Sequence, residues 1–399
     1  MDFLYDLINL EIIVAFSFLI IAYHFRLNHL KVLLLLGHIL AIFLLNDVLF
    51  SPSYFGDQLR QLDATKMIRS DWFNPETAYN VHGSKMGFSS FIYAAFPIPF
   101  IHSVQSIAMM NFLIFLIIFY FIKKFKLSFN NVDYFYLLFP SLLLYSSLAL
   151  RDMLVLFFMF IGIYTVVVRE RYLFALLLLS PVIFLKIQNY LMIVVSLLLF
   201  FYLRRNSLER YIILGSFVLI IAFIPEKIPV FAQAYELVET WRLALFYDQY
   251  MYDWKYIAEM NIDALYQPLG TGFFLIYQIV KSSLYMLLKP LLWEVDNPFQ
   301  FIQSLENLVI FAMIIWINRK KVFNEKIKQK ILFLNCLLLI SMTVNGLVVF
   351  NFGAAVRYKF TFIVIYFVYF FYLLNIDKLI ISQVKSAWSY ENGRNPVTV

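Results

Sequence analysis

The chain is dominated by a succession of apolar stretches, each close to the length of a membrane helix. A helix needs about 20 apolar residues to cross a bilayer, and lipid solvates side chains that a soluble fold of this size could not bury. Charged residues make up only 14% of the sequence, against about 25% in soluble domains. The pattern predicts an all-α, polytopic transmembrane bundle of about 11 helices in a single integral membrane domain, residues 1–399. The predicted spans are Leu7–Phe25, Val32–Phe50, Ser103–Ile122, Tyr134–Ala149, Met153–Val168, Tyr172–Leu185, Ile187–Leu203, Tyr211–Pro225, Phe301–Ile317, Ile331–Phe350 and Phe360–Asn375.

The distribution of Lys and Arg predicts the orientation of the chain. With the N-terminus outside, every short connection on the inner side is basic, as the positive-inside rule requires. The acidic start, MDFLYDLINLE, lacks the basic region of a secretory signal, so we expect the first apolar stretch to remain as a membrane helix. The connections placed inside are Arg26–Lys31, Lys123–Lys126, Arg169–Arg171, Arg204–Arg210, Arg319–Lys330 and the tail after Asp377.

Two long segments, residues 51–87 and 226–300, are predicted on the outer face. Loops of this length are uncommon in compact proteins unless they serve a function. The apolar stretches Phe88–Ile101 and Phe273–Leu288 are short or interrupted, so we interpret both as re-entrant or interfacial segments. Aromatic residues of the second loop, such as Trp241 and Trp254, fit either an interfacial belt or a surface that stacks on sugar rings.

Two predicted helical hairpins, Tyr134–Val168 and Tyr172–Leu203, are short for a double crossing. Each arm has about 16 residues and reaches about 24 Å, against a hydrocarbon core of about 30 Å. Their turns, which carry Arg151 with Asp152 and Lys186, should therefore lie below the outer surface. A charge at that depth needs a partner. Asp152 neutralising Arg151, Lys186 extending to the surface, and a water-filled cavity that holds an anion are all open interpretations.

Further cations are predicted on the same outer face. Arg357 and Lys359 lie in NFGAAVRYKF at a helix end, and Lys289 follows the second interrupted stretch. These positions fit helix ends whose cations extend to water, but several deep cations on one face also indicate a pocket for an anionic head group. Arginine suits phosphate because its planar fork donates two parallel hydrogen bonds.

Carboxylates near these cations are candidate general bases. Asp57, with Arg60 one turn later, follows the second predicted span, and Glu294 lies close to Lys289. A carboxylate beside a cationic pocket can deprotonate a sugar hydroxyl, although solvated loop charges are the commoner case. Glu306 lies inside a predicted span and should have a hydrogen-bonding partner.

Several classes of chemistry have no support in the sequence. There is no phosphate-binding glycine loop and no paired-histidine motif, so nucleotide hydrolysis and zinc chemistry are not indicated. The single cysteine, Cys336, excludes an intrachain disulfide. We predict no metal, no cofactor and no nucleic-acid partner.

Three segments resemble the Wzy-type polymerases of O-antigen and capsular repeat units. PSLLLYSSLALRDMLVLFF is similar to a family segment in which a Ser pair and a Leu-Arg-Asp/Glu turn precede an apolar helix. LLKPLLWEVDNPFQFIQSLENLVIF and NFGAAVRYKFTF resemble two further segments of polymerase-like proteins, and the three lie within Pro140–Phe362. Lys289 stands where Arg is usual, and LKIQNY around Lys186 replaces an Arg-Pro-Tyr-like segment, so the bidentate geometry of arginine is lost at both positions.

The resemblance implies an enzyme of the bacterial inner membrane that acts on its periplasmic face. Such enzymes move a growing chain from undecaprenyl pyrophosphate onto a newly flipped lipid-linked oligosaccharide, sometimes with a chain-length regulator as partner. The implied catalytic residues are Asp57 or Glu294 as base, with Arg151 at the leaving group. The implied pyrophosphate and sugar contacts are Arg60, Asp152, Lys186, Lys289, Arg357 and Lys359.

Three other functions remain open from sequence. An O-antigen ligase shares the lipid-linked donor, and a flippase shares the carrier. A flippase predicts charges near the bilayer midplane and often inverted repeats, whereas the charges here collect towards one face. A membrane scaffold without activity would not explain why Arg151 is predicted below the outer surface of the membrane.

Overall fold

The structure, a computed structural model, describes residues 2–24, 28–46, 48–51, 56–204, 229–251, 266–270 and 272–391. Helices account for 82% of it, and these residues contain no β-strand, so the prediction of an all-α fold is confirmed. The predicted span Tyr211–Pro225 and the aromatic Trp254 lie outside the described residues.

The described helices are numbered here in the order in which they occur along the chain. The first eleven, α1–α11, are Asp2–His24, His29–Leu45, Gly56–Ser70, Glu76–His82, Ser84–Ala95, Val104–Lys124, Asn130–Leu138, Pro140–Ser146, Asp152–Val167, Tyr172–Leu178 and Ser180–Leu203. The next five, α12–α16, are Pro229–Met251, Gly272–Leu288, Pro298–Asn318, Glu325–Val348 and Phe352–Glu391, and a 3₁₀ turn covers Leu292–Glu294.

Among the described residues, five helices are long and apolar enough to cross a membrane, which makes the chain a membrane protein by length and composition. They are Val104–Lys124, Ser180–Leu203, Pro298–Asn318, Glu325–Val348 and the Phe352–Gln383 part of α16. Each contains or closely overlaps one of the predicted spans. Three shorter helices, α2, α9 and α13, are also apolar. The remaining predicted spans, and the total of about 11, stay predictions.

The chain divides into two compact units. Unit 1 comprises Met1–Leu191, Val322–Ile331 and Ile363–Val399, and unit 2 comprises Met192–Lys321 and Leu332–Phe362. Within unit 1, helix α6 lies at the centre and packs against α1, α2, α8 and α9. Its side chains are buried on nearly every face, as expected for a helix that is apolar all round.

Two of the predicted spans are interrupted. The stretch Tyr134–Ala149 forms two short helices because Pro140 removes a backbone donor and holds Phe139 in an extended conformation, with φ −68° and ψ 114°. The stretch Tyr172–Leu185 is divided between α10 and α11, with Leu179 between them. Lys186, which the sequence analysis placed between two spans, has non-helical angles of φ −161° and ψ 76° and lies at a kink between two helical parts of α11.

The first predicted outer loop is largely helical. Helices α3, α4 and α5 pack on one another around Ala64, Ile68 and Ala78. The Arg69 guanidinium donates to the carbonyls of Ala94, Phe96 and Pro99 at 3.1, 2.7 and 3.1 Å. It thereby satisfies carbonyl groups at the end of α5 and in the proline-containing segment that follows.

In unit 2, α13 and α14 pack together, and α15 approaches α13 closely at a glycine. A Cβ atom on Gly346 would lie 2.3 Å from the Ser282 carbonyl oxygen. The neighbouring hydroxyls of Ser283 and Thr343 are 2.9 Å apart and hydrogen-bonded. Small and hydroxyl-bearing residues of this kind are typical of contacts between membrane helices.

Candidate functional site

A non-helical segment, Ser147–Leu150, joins α8 to α9 inside unit 1, and its side chains are buried. Its carbonyls are hydrogen-bonded by side chains of distant helices. The Asn111 amide of α6 donates to Leu148 O at 2.6 Å and to Leu150 O at 2.7 Å. The Tyr93 hydroxyl of α5 donates to Leu150 O at 3.1 Å. The last part of the segment is thus fixed directly before Arg151.

The first part of the segment is held from two more helices. Ala149 N donates to the Gln58 side-chain oxygen of α3 at 2.7 Å, and the Asn46 amide donates to Ser147 O at 2.8 Å. Irregular backbone in an apolar bundle is tolerated where protein or a water-lined cavity satisfies its polar groups. This segment, which we call the cradled turn (Ser147–Leu150), is therefore held by four side chains, those of Asn46, Gln58, Tyr93 and Asn111.

The cradled turn ends on the predicted charge cluster. Arg151 is the N-cap of α9 and is half-buried, and Asp152 occupies the first helical turn. The Lys186 ammonium lies 3.4 Å from the Asp152 carboxylate, with the two side chains 6% and 1% exposed. The structure thus brings Lys186 close to Asp152, and Arg151 directly precedes Asp152 in the chain. A buried pair of this kind compensates charges that would otherwise be costly in an apolar bundle.

Asp57 and Arg60 lie on α3, in the same unit. Asp57 is half-buried in the first turn of the helix, and Arg60 is exposed one turn later. Gln58, the neighbour of Asp57, is fully buried and accepts the hydrogen bond from Ala149 N. Helix α3 is therefore fixed to the cradled turn at the position next to the predicted base.

The remaining predicted site residues belong to unit 2. The Lys289 ammonium and a Glu294 carboxylate oxygen are 2.9 Å apart, and both side chains are about one-quarter exposed. The other Glu294 oxygen accepts from Leu291 N at 3.0 Å. Burial alone would raise the pKa of Glu294, but the Leu291 amide and the Lys289 ammonium outweigh it and lower that pKa. The Tyr285 ring lies 4.5 Å from the Lys289 ammonium.

Lys359 is almost completely buried and has all three of its donors directed at protein oxygens. Its ammonium lies 2.6 Å from the Asn307 side-chain oxygen, and 3.3 Å from both Met286 O and Lys289 O. A lysine has three N–H donors, so these contacts use its full capacity. The two carbonyls lie at the C-terminal end of α13, where a cation is favoured by the helix dipole.

Asn307 completes this network, and Arg357 lies two residues before Lys359 in α16. The Asn307 amide donates to Leu288 O at 3.2 Å and to Lys289 O at 2.7 Å. The Glu306 carboxylate is buried and is influenced by the charge of Lys359; the hydrogen-bonding partner predicted for it stays a prediction. Arg357 is half-buried near the start of α16.

The sequence analysis missed the uncharged residues that build the cradled turn. Asn46, Gln58, Tyr93 and Asn111 were not predicted as site residues, although each is buried and bonded to the turn. A signal was present for Asn111, a lone amide within an otherwise apolar stretch. Such residues are rare in membrane helices and usually make interhelical hydrogen bonds.

The two predicted groups of charges belong to different units of the chain, Arg151, Asp152 and Lys186 to unit 1 and Lys289, Glu294, Arg357 and Lys359 to unit 2. Within the described ranges, no three His, Cys, Asp or Glu side chains cluster as metal ligands. No protein-family model, curated protein or solved structure matches this chain.

Proposed function

We propose that the chain is a bacterial inner-membrane glycosyltransferase that polymerises undecaprenyl-pyrophosphate-linked oligosaccharides on the periplasmic face, with about 11 spans. The observation that carries the proposal is the cradled turn that ends on Arg151 and Asp152 with Lys186 alongside. Building an irregular segment, held by side-chain hydrogen bonds, into an apolar bundle to present charged residues is costly. A role in binding a pyrophosphate accounts for that arrangement.

The proposed reaction transfers the growing chain to a new acceptor. A carboxylate takes the proton of the acceptor hydroxyl, and the hydroxyl oxygen attacks the anomeric carbon of the donor sugar. The bond between that carbon and the pyrophosphate oxygen breaks, and undecaprenyl pyrophosphate leaves with the bonding electrons. Arg151 and Lys186 stabilise the charge that develops on the leaving group. Arg60, Lys289 and Arg357 are assigned to further phosphate or sugar contacts.

Asp57 is the better candidate for the base. Its neighbour Gln58 fixes α3 to the cradled turn, which favours a position close to the reacting groups. Glu294 is held by the Lys289 ammonium and the Leu291 amide, and its lowered pKa makes it a weaker proton acceptor. We therefore assign Glu294 to orienting Lys289, and Lys359 to holding the backbone of Lys289.

The decisive experiment deletes the gene in its host and examines the surface polysaccharide on a gel. The proposal expects loss of the polymer ladder with a single repeat still attached to its acceptor. Accumulation of free lipid-linked polymer would instead indicate a ligase, and cytoplasmic accumulation of unflipped repeats would indicate a flippase. A chain-length regulator is an expected partner, and its deletion should alter the modal length while leaving polymerisation in place.

A matched pair of arginine variants then tests the site. Arg151→Ala should abolish the ladder at unchanged protein level, because the leaving-group charge loses its bidentate donor. Arg171 is the suitable control since it is also a helix N-cap, of α10, but is exposed in a connection predicted to be cytoplasmic. Arg171→Ala should leave the ladder intact, and a normal ladder with Arg151→Ala would remove Arg151 from the mechanism.

A further inference from the structure

Two lysines and one aspartate meet where three helices of unit 1 end or begin. Lys31 lies in the first turn of α2, Lys123 in the last turn of α6 and Asp133 in the first turn of α7. The Lys31 ammonium is 2.5 Å from Asp133 Oδ2, and the Lys123 ammonium bonds to the same oxygen. The Ser128 hydroxyl donates to Asp133 Oδ1 at 2.9 Å. Both ammonium groups thus share a single carboxylate.

The charges of this lysine corner (Lys31, Lys123, Ser128 and Asp133) do not balance. Asp133 is 1% exposed, and the lysine side chains are 8% and 13% exposed. Neither lysine pairs with a second carboxylate in the part of the chain that the structure describes. Two helix N-termini, each equivalent to about half a positive charge, meet here with one C-terminus, which is equivalent to about half a negative charge. The helix ends together therefore add to the positive potential.

The corner also has N–H donors left for a ligand. Each ammonium has three N–H groups. Lys31 uses one of its N–H groups, on Asp133. Lys123 uses two, on Asp133 and on the Ser128 hydroxyl at 2.6 Å. The Tyr134 ring lies 5.3 Å from the Lys31 ammonium and covers one side of it. Both lysine side chains keep a small exposed fraction, 8% and 13%, so neither is cut off from solvent completely.

The surroundings of the corner favour an anion that carries phosphate. The corner lies at a connection predicted on the cytoplasmic side, which also carries the exposed Lys126. Anionic lipids are enriched in that leaflet, and basic pockets between membrane helices bind their head groups. We propose that the lysine corner binds one phosphate group, from an anionic lipid head group or from free phosphate. The proposal is independent of the polymerase function and of the cradled turn.

The test measures how anions change the unfolding temperature of the purified full-length protein in a non-ionic detergent. The additives are phosphatidylglycerol, phosphatidylcholine as a zwitterionic reference, and inorganic phosphate. Three variants are compared with the wild type: Lys31→Met, Asp133→Asn and Lys124→Met. Lys124 is the matched control because it is an exposed lysine at the end of the same helix.

We expect phosphatidylglycerol or phosphate to raise the unfolding temperature of the wild type by about 2 °C or more. Lys31→Met leaves a neutral one-to-one pair, so it should fold normally but lose most of this shift, with affinity weakened about tenfold. Asp133→Asn removes the competing carboxylate and should keep or enlarge the shift. Lys124→Met should behave as the wild type does.

The responses to phosphatidylglycerol and to inorganic phosphate distinguish a lipid head group from a free anion. A shift with phosphatidylglycerol but not with inorganic phosphate identifies a lipid, and equal shifts identify a free anion. An absence of any anion-dependent shift in the wild type would overturn the proposal, since burial would then be holding one lysine neutral. An equal shift in Lys31→Met and the wild type would overturn it as well.

Discussion

Lysines predicted for the same role differ in how their donors are used. The Lys359 ammonium is buried and bonded to Asn307, Met286 O and Lys289 O. The Lys289 ammonium is partly exposed and has Glu294 as its ion-pair partner. A cation whose donors are filled by protein oxygens positions backbone, whereas a partly exposed one can reach a ligand. This difference depends on contacts between segments that are far apart in the sequence, so the residue type alone does not predict it.

Removing the Lys359 ammonium should destabilise unit 2. Lys359→Met keeps the length of the side chain but takes a positive charge away from the buried Glu306 carboxylate and removes the ammonium that donates to Met286 O. The other two oxygens keep a donor, because Gln303 donates to the Asn307 side chain and Asn307 donates to Lys289 O. A buried polar group that loses its partner costs about 1–3 kcal/mol, and a charged one costs more. The double variant Glu306→Gln with Lys359→Met should recover part of that loss. Thermal or SDS-induced unfolding of the purified protein measures both.

An exposed lysine provides the control for that comparison. Lys326 lies at the start of α15 on the surface, and Lys326→Met should change the unfolding free energy by less than about 0.5 kcal/mol. Equal stability of the Lys359→Met and Lys326→Met variants would show that the buried network contributes nothing.

The Lys289–Glu294 pair should give unit 2 an acid-sensitive component. The pKa of Glu294 is lowered from its ordinary value of 4.5. Its contribution to stability is therefore complete above pH 4.5 and is lost as the pH falls through the depressed pKa. The unfolding temperature of the wild type should decline more steeply below pH 4.5 than that of Glu294→Gln. Parallel curves for the two proteins would contradict this expectation.

At the scale of elements, the cradled turn depends on side chains from other helices. Asn111→Leu would leave Leu148 O with the Leu150 amide as its donor, at 2.9 Å, and would leave Leu150 O with Tyr93 alone. Both carbonyls keep one partner, and the loss of a hydrogen bond of this kind costs about 0.5–1.5 kcal/mol. We expect Asn111→Leu to lower the unfolding free energy by that amount and to reduce polymer formation, because Arg151 follows the turn directly.

Asn335→Leu is the matched control, since Asn335 also lies in an apolar helix but its amide donates to the Asn318 side chain at 2.9 Å. That variant should leave the polymer ladder unchanged. If both asparagine variants reduce polymer formation equally, the effect comes from lost packing and the cradled turn has no special role.

The sequence predicted individual elements better than their connections. Length and apolarity alone locate helices such as Val104–Lys124 and Pro298–Asn318, because the bilayer sets the length of a span. The break before Pro140 also follows from local chemistry, since proline restricts the residue that precedes it. In contrast, Gln58 and Ala149 are joined by a hydrogen bond across 91 positions, and no local pattern predicts such a pairing.

The charged residues illustrate the same limit. The sequence singled out both Asp152 and Lys186 but did not predict that the two side chains would pair. It placed Lys186 between two spans, and the structure has a kink within α11 at this residue. The break could be located from the sequence, but the contact of the Lys186 side chain depends on how distant helices pack and could not be derived.

At the scale of the whole molecule, the orientation in the membrane is the expectation that bears most directly on function. Basic connections predict that Lys320 lies in the cytoplasm and that the first long loop, which includes Phe73, lies outside. Both residues are exposed, so cysteines at these positions should react freely. The native Cys336 is buried in α15 and can be replaced by Ser to give a background without cysteine.

In that background, Phe73→Cys should react with a membrane-impermeant maleimide in cells whose outer membrane has been permeabilised, and Lys320→Cys should react only after the inner membrane is lysed. The physical reason is the energetic preference of Lys and Arg for the cytoplasmic side during insertion. Labelling of Lys320→Cys without lysis would invert the orientation. Helix α3, with Asp57, would then face the cytoplasm, where the proposed transfer of a flipped lipid-linked oligosaccharide cannot take place.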